Sequence, residues 1–307
     1  MPLVAVLMGG ASAEREISLQ TGSGVAQALQ TLGYRTFTLD FDRDFVDDVR
    51  AKRPDAVFNA LHGGAGENGT AQAVMDWMEL GYQGSGMRSS AVAMDKWMTK
   101  AVMRAADLPT PVATVLDLAG GVPALPKRPG VPCVVKPLAE GSAVGVTIVH
   151  ADDEWAPAVT AARSVAQRAL VEAYVKGREF TVAVLGDEAL PVVEIRPADE
   201  FYTYHAKYTP GASRHTVPAD LDPAIANRMQ EYALRLHRAL GCRDYSRIDI
   251  MMDANDSSLY LLECNTLPGL TNLSLFPEAA AAAGISYAAL VDRLTRSALT
   301  RFEVRAS

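Results

Sequence analysis

The sequence has few cysteines. Cys133, Cys242 and Cys264 are an odd number, and none of them belongs to a Cys-x-x-Cys pair. A disulfide framework needs an even set of cysteines, and a structural zinc site needs closely spaced ones. The cysteine content therefore predicts neither, and it favours a reducing, cytoplasmic setting.

The chain also lacks an excess of positive charge and a long hydrophobic run. It has 29 Lys and Arg against 36 Asp and Glu, interleaved along the sequence, so no basic patch is expected for nucleic acid or anionic lipid. The apolar start at residues 3–8 is too short to cross a membrane and lacks the basic head and cleavage site of a signal peptide. We therefore expect no nucleic-acid or membrane partner, and residues 3–8 are predicted to form a first strand.

The chain does have enough apolar surface for more than one core. Its 307 residues are 49% hydrophobic, which predicts two or three domains. In the first part, apolar runs at 3–8, 36–40 and 56–61 alternate with helical patterns at 14–32 and 70–80. This alternation predicts an α/β unit with a parallel, helix-covered sheet and a ligand crevice at the strand ends.

The remainder mixes strand and helix signals, so the fold class is α/β with an α+β character. A single helix is predicted over 89–106, a later helix over 223–240, and two strands around Asp249 and Leu261. The predicted domains are residues 1–90, 91–177 and 178–307.

A polar segment at residues 201–219 is punctuated by proline and glycine and carries several tyrosines and a lysine. A long irregular loop inside a compact domain is usually functional or poorly ordered. The composition favours a lid over a passive loop.

The stretch Leu259–Gly269 is an apolar run that ends in Glu263 and Asn265. These two side chains share one face of a strand, and Arg247 and Asp249 share a face of the preceding one. If the strands form a hairpin, three oxygen-bearing side chains lie beside a guanidinium, a composition that suits Mg²⁺. The alternative is a hairpin with solvated polar ends.

Lys136 closes another apolar strand and precedes a loop with Gly141 and Gly145. An ammonium group and backbone N–H groups of this kind can surround phosphate oxygens, although a surface hairpin with a solvated lysine would look similar. The chain has no Gly-Lys dipeptide, so a Walker A loop is excluded.

The letters of a dinucleotide-binding motif occur at Gly64, Gly66 and Gly69. The motif follows the third predicted strand rather than the first, and no strand ending in a ribose-binding acid follows its helix. A dinucleotide site here is an alternative that a lone glycine pattern supports only weakly.

Glu14 follows the glycines of the first predicted strand end, and His62 ends a later strand. At one crevice rim they could receive the amino group and the carboxylate of a small substrate. The alternative is an ordinary acidic residue at a helix start and a structural histidine. Nucleophilic catalysis by Ser142 has no support, because no base lies beside it in the sequence.

Together these residues give a specific resemblance. The chain resembles the D-alanine:D-alanine ligases of the ATP-grasp superfamily from Leu3 to about Leu294. The motifs that carry it are GGASAEREISL, ALHGGAGENGT, GSGMRSSAVAMDK, VVKPLAEGSAVGV, EFTVAVL, FYTYHAKY, RIDIM and LLECNTLPGLTNLSLFP.

The resemblance implies an ATP-grasp fold with a Rossmann-like N-terminal substrate domain, a central domain and a C-terminal domain around one cleft. It implies ATP-dependent ligation of two D-alanines through an acyl phosphate, for peptidoglycan precursor synthesis. It further implies two Mg²⁺ or Mn²⁺ ions, a monovalent cation as a candidate activator, and a homodimer formed through the N-terminal domain.

The family's nucleotide and metal residues map onto this sequence one by one. By similarity, Lys96 and Lys136 contact ATP phosphates, and Lys207 contacts the γ-phosphate. The residues implied for adenine and ribose are Glu172, Tyr174, Val175 and Glu179. The residues implied for the two metal ions are Asp249, Glu263 and Asn265.

The substrate residues map in the same way. Glu14 would bind the ammonium of the first D-alanine, with His62 near its carboxylate. Arg247 and the Gly269 N–H would form the oxyanion site. The residues implied for the carboxylate of the second D-alanine are Ser274 and Leu275. The residues implied for the hydrogen-bonded link that closes the lid are Tyr208, Ser142 and Glu14.

Some positions depart from or refine the family pattern. Ala173 and Tyr174 replace a common Lys-Trp at the adenine hinge, His205 replaces a lid glutamate, and Asn68 replaces an aspartate. Related ligases that accept D-lactate have phenylalanine at Tyr208, so tyrosine favours the dipeptide product. Three alternatives remain: another acceptor such as D-lactate or D-serine, a nicotinamide-dependent oxidoreductase, and a non-catalytic nucleotide-binding module.

Overall fold

The computed structural model describes residues 1–141, 144–197, 213–271 and 273–302. Three β-sheets, each packed against helices, form this part of the chain. The strands lie at Leu3–Leu7 (β1), Arg35–Leu39 (β2), Ala56–Asn59 (β3), Ala113–Asp117 (β4), Cys133–Pro137 (β5), Thr147–Val149 (β6), Arg168–Ala173 (β7), Gly177–Leu185 (β8), Glu188–Ala189 (β9), Val193–Pro197 (β10), Ser213–Thr216 (β11), Tyr245–Asp253 (β12) and Leu259–Asn265 (β13).

The helices cover the faces of these sheets. They lie at Arg15–Thr31 (α1), Phe45–Lys52 (α2), Gly64–Glu67 (α3), Thr70–Trp77 (α4), Met87–Met94 (α5), Lys96–Ala105 (α6), Trp155–Arg163 (α7), Pro223–Ala239 (α8), Leu275–Ala282 (α9) and Tyr287–Thr300 (α10). None of the helices in the described ranges is long and apolar enough to span a bilayer.

The N-terminal sheet has the strand order β2-β1-β3, and both pairings are parallel. This confirms the parallel, helix-covered sheet predicted from the alternation of strand and helix patterns. Val4 to Leu7 of the central strand are fully buried, as expected for a strand covered on both faces. Because the strands are parallel, the loops after β1 and β3 meet at one edge and bring Glu14 and His62 to the same rim.

The middle sheet has the order β4-β7-β5-β6, with antiparallel pairing throughout. Its core includes Cys133, Val135 and Val171 from the strands and Trp155 and Val159 from α7. All of strand β5 is buried, which places Lys136 near the carboxyl end of an enclosed strand.

The third sheet has the order β11-β10-β8-β12-β13, with β9 paired to β8. Strand β8 separates two cores. Phe180, Val182 and Val184 lie in the cluster that contains α8, whereas Ala183 and Leu185 lie in the cluster that contains the N-terminal sheet, α9 and α10. The alternation of side chains along the strand therefore attaches the third sheet to both neighbours. The domain boundaries near residues 90 and 177 stay a prediction.

The predicted single helix over 89–106 is wrong in one respect, because the chain forms α5 and α6 with a break at Asp95. Asp95 has an extended backbone, and its side chain accepts hydrogen bonds from the N–H groups of Trp97 and Met98, both at 3.0 Å. An aspartate that caps a helix in this way starts a new one. The break places Lys96 in the first turn of α6, facing the site described below.

The predicted irregular loop over 201–219 also needs a correction. Residues 213–216 form β11, which pairs antiparallel with β10, with Ile195 opposite His215. Residues 201–212 lie outside the described part of the chain, so the prediction of a lid there stays a prediction.

Candidate active site

Strands β12 and β13 form a hairpin, which is the pairing on which the predicted cluster of oxygen-bearing side chains depends. Arg247 lies opposite Asn265 and Asp249 lies opposite Glu263, with a bulge after Asp249. Strand β8 flanks β12 on its other side, so the hairpin is held within the third sheet. The four polar side chains therefore meet at one end of the hairpin.

A cavity opens at this end of the hairpin and reaches the rim of the N-terminal sheet. Half of the site residues predicted from the sequence line this cavity, and they come from distant parts of the chain. The selected residues that line it are Glu14, His62, Lys96, Arg247, Glu263, Asn265, Gly269, Ser274 and Leu275.

Asp249 fixes the position of the Arg247 guanidinium through two hydrogen bonds. Arg247 Nε and Nη2 donate to Asp249 Oδ1 and Oδ2 at 2.9 and 2.8 Å, and Thr181 Oγ1 donates to the same Oδ1 at 2.7 Å. Such a two-point contact fixes the plane of the guanidinium. Arg247 lines the cavity, and Asp249 lies behind it. Asp249 therefore orients Arg247 in this structure, and its predicted role as a metal ligand stays a proposal.

Glu263 and Asn265 offer oxygen atoms to the same cavity. Among the described residues no hydrogen bond or ion pair engages the Glu263 carboxylate, and Asn265 Oδ1 accepts the Leu267 N–H at 2.8 Å. No group of three His, Cys, Asp or Glu residues in the described ranges could hold a metal by itself. Mg²⁺ commonly takes one or two carboxylates and completes its shell with water and phosphate oxygens, so this donor set fits it.

The rim of the N-terminal sheet contributes a carboxylate and an imidazole. Glu14 precedes α1 and is 8% exposed. His62 is buried, and its Nε2 lies 2.9 Å from Thr21 Oγ1. Burial lowers the pKa of His62 to about 4, against the opposite effect of the Glu14 charge. The imidazole is therefore neutral at pH 7.

Glu67 also lines the cavity, although the sequence analysis did not select it. Its Oε1 accepts the Gly63 N–H at 3.0 Å. Burial and the nearby Glu14 carboxylate raise the pKa of Glu67 to about 7. The signal for it was present, since a carboxylate within a glycine-rich turn after a strand was part of the ALHGGAGENGT motif.

The glycines around Glu67 serve packing. A Cβ on Gly66 would lie 2.5 Å from Leu61 Cβ, and one on Gly69 would lie 2.6 Å from the Met87 carbonyl oxygen. The motif also follows β3, at one end of the strand order, rather than β1. These contacts explain the glycines without a bound pyrophosphate, and they weaken the dinucleotide alternative.

Gly269 and Ser274 form the opposite wall. A Cβ on Gly269 would lie 2.9 Å from Ser274 Oγ and 3.1 Å from His62 Cε1, so only glycine allows this approach. Ser274 precedes α9 and Leu275 begins it, which places helix N–H groups beside the cavity. Ser274 Oγ accepts the N–H of Thr271 at 3.0 Å; Thr271 was also not selected from the sequence. A helix N-terminus of this kind favours a carboxylate.

The two lysines that the resemblance assigns to ATP phosphates lie on or near the cavity wall. Lys96 lines the cavity, and its Nζ donates to the Glu140 carbonyl oxygen. Lys136 is 8% exposed and forms an ion pair with Glu172. Burial by itself would lower the pKa of Lys136, but the carboxylates of Glu172, Glu263 and Glu179 outweigh burial and raise it. The Lys136 ammonium therefore stays charged between the middle and third sheets.

The residues implied for adenine and ribose lie beside the cavity rather than in its lining. Glu172 is in β7, Tyr174 and Val175 follow that strand, and Glu179 is in β8. The Tyr174 ring packs edge-on against His150, with 5.7 Å between the centroids. The Glu172 carboxylate contacts Lys100 and Lys136, and its implied role towards adenine and ribose stays a prediction. Ser142, Lys207, Tyr208 and His205 lie outside the described residues.

Comparisons with known proteins agree with this geometry. A family model described as the D-ala D-ala ligase C-terminus matches residues 121–296. The chain is 46% identical to a D-alanine–D-alanine ligase of Sphingopyxis alaskensis, covering 97% of this chain and 98% of the relative. It is 48% identical to one of Ruegeria pomeroyi, covering 94% of each.

Solved structures show the same fold. The D-alanine–D-alanine ligase of Bacillus anthracis complexed with ATP superimposes with a TM-score of 0.86 at 30% identity, and each chain is covered completely. A second structure of the ligase from that organism gives a TM-score of 0.87 at 33% identity, again with complete coverage. The ATP-grasp architecture expected from the resemblance is thereby confirmed. Sequence, fold and site agree, and the chain belongs to the D-alanine–D-alanine ligase family.

Proposed function

We propose that this protein joins two molecules of D-alanine to D-alanyl-D-alanine at the expense of ATP. The observation that carries the proposal is the single cavity that brings Glu14 and His62 together with Arg247, Glu263 and Gly269. One cavity then offers a carboxylate for an amino group, an arginine for an oxyanion and oxygen atoms for a cation. The names of the relatives support the same substrates.

The first step activates a carboxylate. Glu14 binds the ammonium of the first D-alanine, so that its carboxylate points towards the nucleotide. A carboxylate oxygen attacks the γ-phosphorus of ATP, the bond to the β-phosphate oxygen breaks, and ADP leaves. Lys96 and Lys136 stabilise the negative charge of the phosphates. Mg²⁺ held by Glu263 and Asn265, with Asp249 as the third proposed ligand, would neutralise charge on the transferring oxygens.

The second step forms the peptide bond. The uncharged amine of the second D-alanine attacks the carbonyl carbon of the acyl phosphate. Arg247 and the Gly269 N–H donate to the oxyanion that develops, the bond to phosphate then breaks, and the proton that the amine loses is taken up by the departing phosphate. Ser274 and the first N–H groups of α9 hold the carboxylate of the second D-alanine. Because Asp249 fixes the Arg247 guanidinium beforehand, little reorganisation is needed when charge develops.

The biological setting is proposed together with the activity. The product is a precursor of peptidoglycan, and the protein acts in the cytoplasm as a homodimer. The residues that hold adenine and ribose are Glu172, Tyr174, Val175 and Glu179. Lys207, Tyr208 and Ser142 complete the closed site, and tyrosine at position 208 supports an amine as acceptor over D-lactate.

The experiment is phosphate release by the purified protein with Mg-ATP and D-alanine, with mass detection of the product. The matched variant is Glu263→Gln, which keeps the shape of the side chain and removes its charge. We expect the dipeptide from the wild type and its loss in the variant. ATP binding by the wild type without dipeptide would refute the substrates and lead to a test of D-lactate and D-serine as acceptors.

A further inference from the structure

Lys100 is a completely buried lysine near the nucleotide side of the site. Its side chain is 0% exposed, and its Nζ lies 2.7 Å from Glu172 Oε2. The same Nζ donates to Thr110 Oγ1 at 2.7 Å and approaches the Pro111 carbonyl oxygen at 3.5 Å. Lysine is almost never fully buried unless it is paired. The burial of the Lys100 ammonium group therefore needs a physical explanation.

One contact of Lys100 leads to the middle sheet. The Glu172 carboxylate in β7 joins Lys100 to Lys136 in β5. Burial by itself would raise the pKa of Glu172, but the two ammonium groups outweigh burial and lower it. Burial lowers the pKa of Lys100, against the opposite effect of the Glu172 charge. Without Lys100, the Glu172 carboxylate would contact one ammonium group, that of Lys136, instead of two.

The other contact leads to the third sheet. Thr110 Oγ1 accepts from Lys100 and donates to the Leu261 carbonyl oxygen at 2.9 Å, and the Leu261 N–H donates to the Pro109 carbonyl oxygen at 2.9 Å. Leu261 belongs to β13, two residues before Glu263. A short chain of contacts therefore runs from Lys136 through Lys100 to the strand that carries Glu263.

We propose that Lys100 is a positioning residue for nucleotide binding, which sets the separation between Lys136 on one sheet and Glu263 on the other. This inference rests on the proposed function, because it assigns the phosphates of ATP to Lys136. Lys100 touches no substrate in this arrangement. It acts through Glu172 on one side and through Thr110 on the other. The nucleotide is bound between the two ends of this chain of contacts.

The test measures the affinity of the protein for an ATP analogue with a non-hydrolysable β–γ bridge, by titration calorimetry. Lys100→Met keeps the volume of the side chain and removes its charge. We expect the affinity for the analogue to fall about tenfold, as is usual for residues that share one charged network. The Michaelis constant for D-alanine should stay unchanged. Arg104→Met is the matched control, because Arg104 is an exposed cation on the same helix.

A double variant separates positioning from a purely structural role. If Lys100 acts through Glu172, Lys100→Met should change the affinity for the analogue far less in a Glu172→Gln background than in the wild type. An equal fold-change in both backgrounds would overturn the inference. So would a Lys100→Met protein that is less stable but binds the analogue normally.

Thr110 provides a milder variant if Lys100→Met does not fold. Thr110→Val removes the hydroxyl that links Lys100 to Leu261, and Thr110→Ser retains it. We expect weaker analogue binding only in Thr110→Val, and equal affinities in both variants would count against the inference. A wild type that binds the analogue but forms no dipeptide would refute the substrates alone. A wild type that binds no analogue would refute both proposals.

Discussion

Glu67 and Glu172 are both enclosed carboxyl groups near the site, but their pKa values are shifted in opposite directions. Burial acts to raise the pKa of each. At Glu172 the ammonium groups of Lys136 and Lys100 outweigh burial, and the pKa falls. At Glu67 the neighbouring Glu14 adds to burial, and the pKa reaches about 7. Burial acts in the same direction at both positions, so the sign of the nearest charges accounts for the opposite directions of the two pKa shifts.

The same contrast separates the two ends of the cavity. At the end of the β12–β13 hairpin, Arg247 is paired with Asp249 through two hydrogen bonds. At the rim of the N-terminal sheet, His62 is neutral because it is buried. The hairpin end therefore carries a fixed ion pair, while the rim carries His62 and Glu67, whose pKa values lie near or below 7.

The largest effect, on the turnover rate, is expected when the Arg247 guanidinium at the end of the β12–β13 hairpin is removed. Arg247→Ala removes the proposed oxyanion donor and takes away the arginine partner of the Asp249 carboxylate, which keeps its hydrogen bond from Thr181. We expect the turnover rate to fall about 10²- to 10³-fold. Steady-state phosphate release measures it, and the urea unfolding midpoint shows whether the variant is folded.

Arg247→Lys sharpens this test. It keeps the positive charge but cannot make the two-point contact with Asp249, so we expect a rate between the wild type and the alanine variant. A folded Arg247→Ala protein with the wild-type rate would contradict the assigned role.

An intermediate effect is expected at the rim of the N-terminal sheet, where replacing the Glu67 carboxyl group should increase the free energy of unfolding. Between pH 4.5 and about 7, the unfolded chain loses the Glu67 proton while the folded chain keeps it, so Glu67 lowers stability as the pH rises. Glu67→Gln does not titrate and can still accept the Gly63 N–H. We expect this variant to be more stable than the wild type by about 2 kcal/mol at pH 8.

The same variant provides its own control. Below pH 4.5 the Glu67 carboxyl group of the wild type is mostly protonated in both the folded and the unfolded state. The free energies of unfolding of Glu67→Gln and wild type should therefore converge there. Urea unfolding at pH 4 and pH 8 measures the difference. An identical difference at both pH values would show that the Glu67 charge is not its cause.

The smallest effect is expected where a pair is exposed. Lys52 Nζ lies 3.5 Å from Asp48 Oδ2 on α2, and both side chains are about half exposed, at 45% and 50%. Lys52→Gln should lower the free energy of unfolding by about 0.5 kcal/mol or less, because water and salt screen the pair. Urea unfolding at low and at high salt measures it. A loss of about 2 kcal/mol or more that is the same at both salt concentrations would show that water and salt do not screen this pair.

Much of the site could be predicted because it lies in short segments. The period-two pattern placed Glu263 and Asn265 on one face, and the hairpin put Asp249 opposite Glu263, as required. The parallel sheet brought Glu14 and His62 to one rim for a similar reason. The break at Asp95 was missed, although an aspartate before the first turn of α6 is a local capping signal.

Other features needed the folded chain. The contacts of the Glu172 carboxylate with Lys100 and Lys136 are one example, because both lysines are far from it in sequence. Glu67 became a candidate active-site residue only when its pKa and its place in the cavity wall were known. Strand β11 was missed because its pairing partner, β10, lies beyond residues 198–212 in the chain.

The strand and helix pattern, the family motifs and the faces on which the polar residues lie follow from the amino-acid sequence, because they depend on a spacing of a few residues. The tertiary structure alone decided which charges are paired, which glycines allow close approach and which groups titrate near neutral pH. These properties depend on the distance between residues far apart in the chain, and on the exclusion of water that makes each such contact strong.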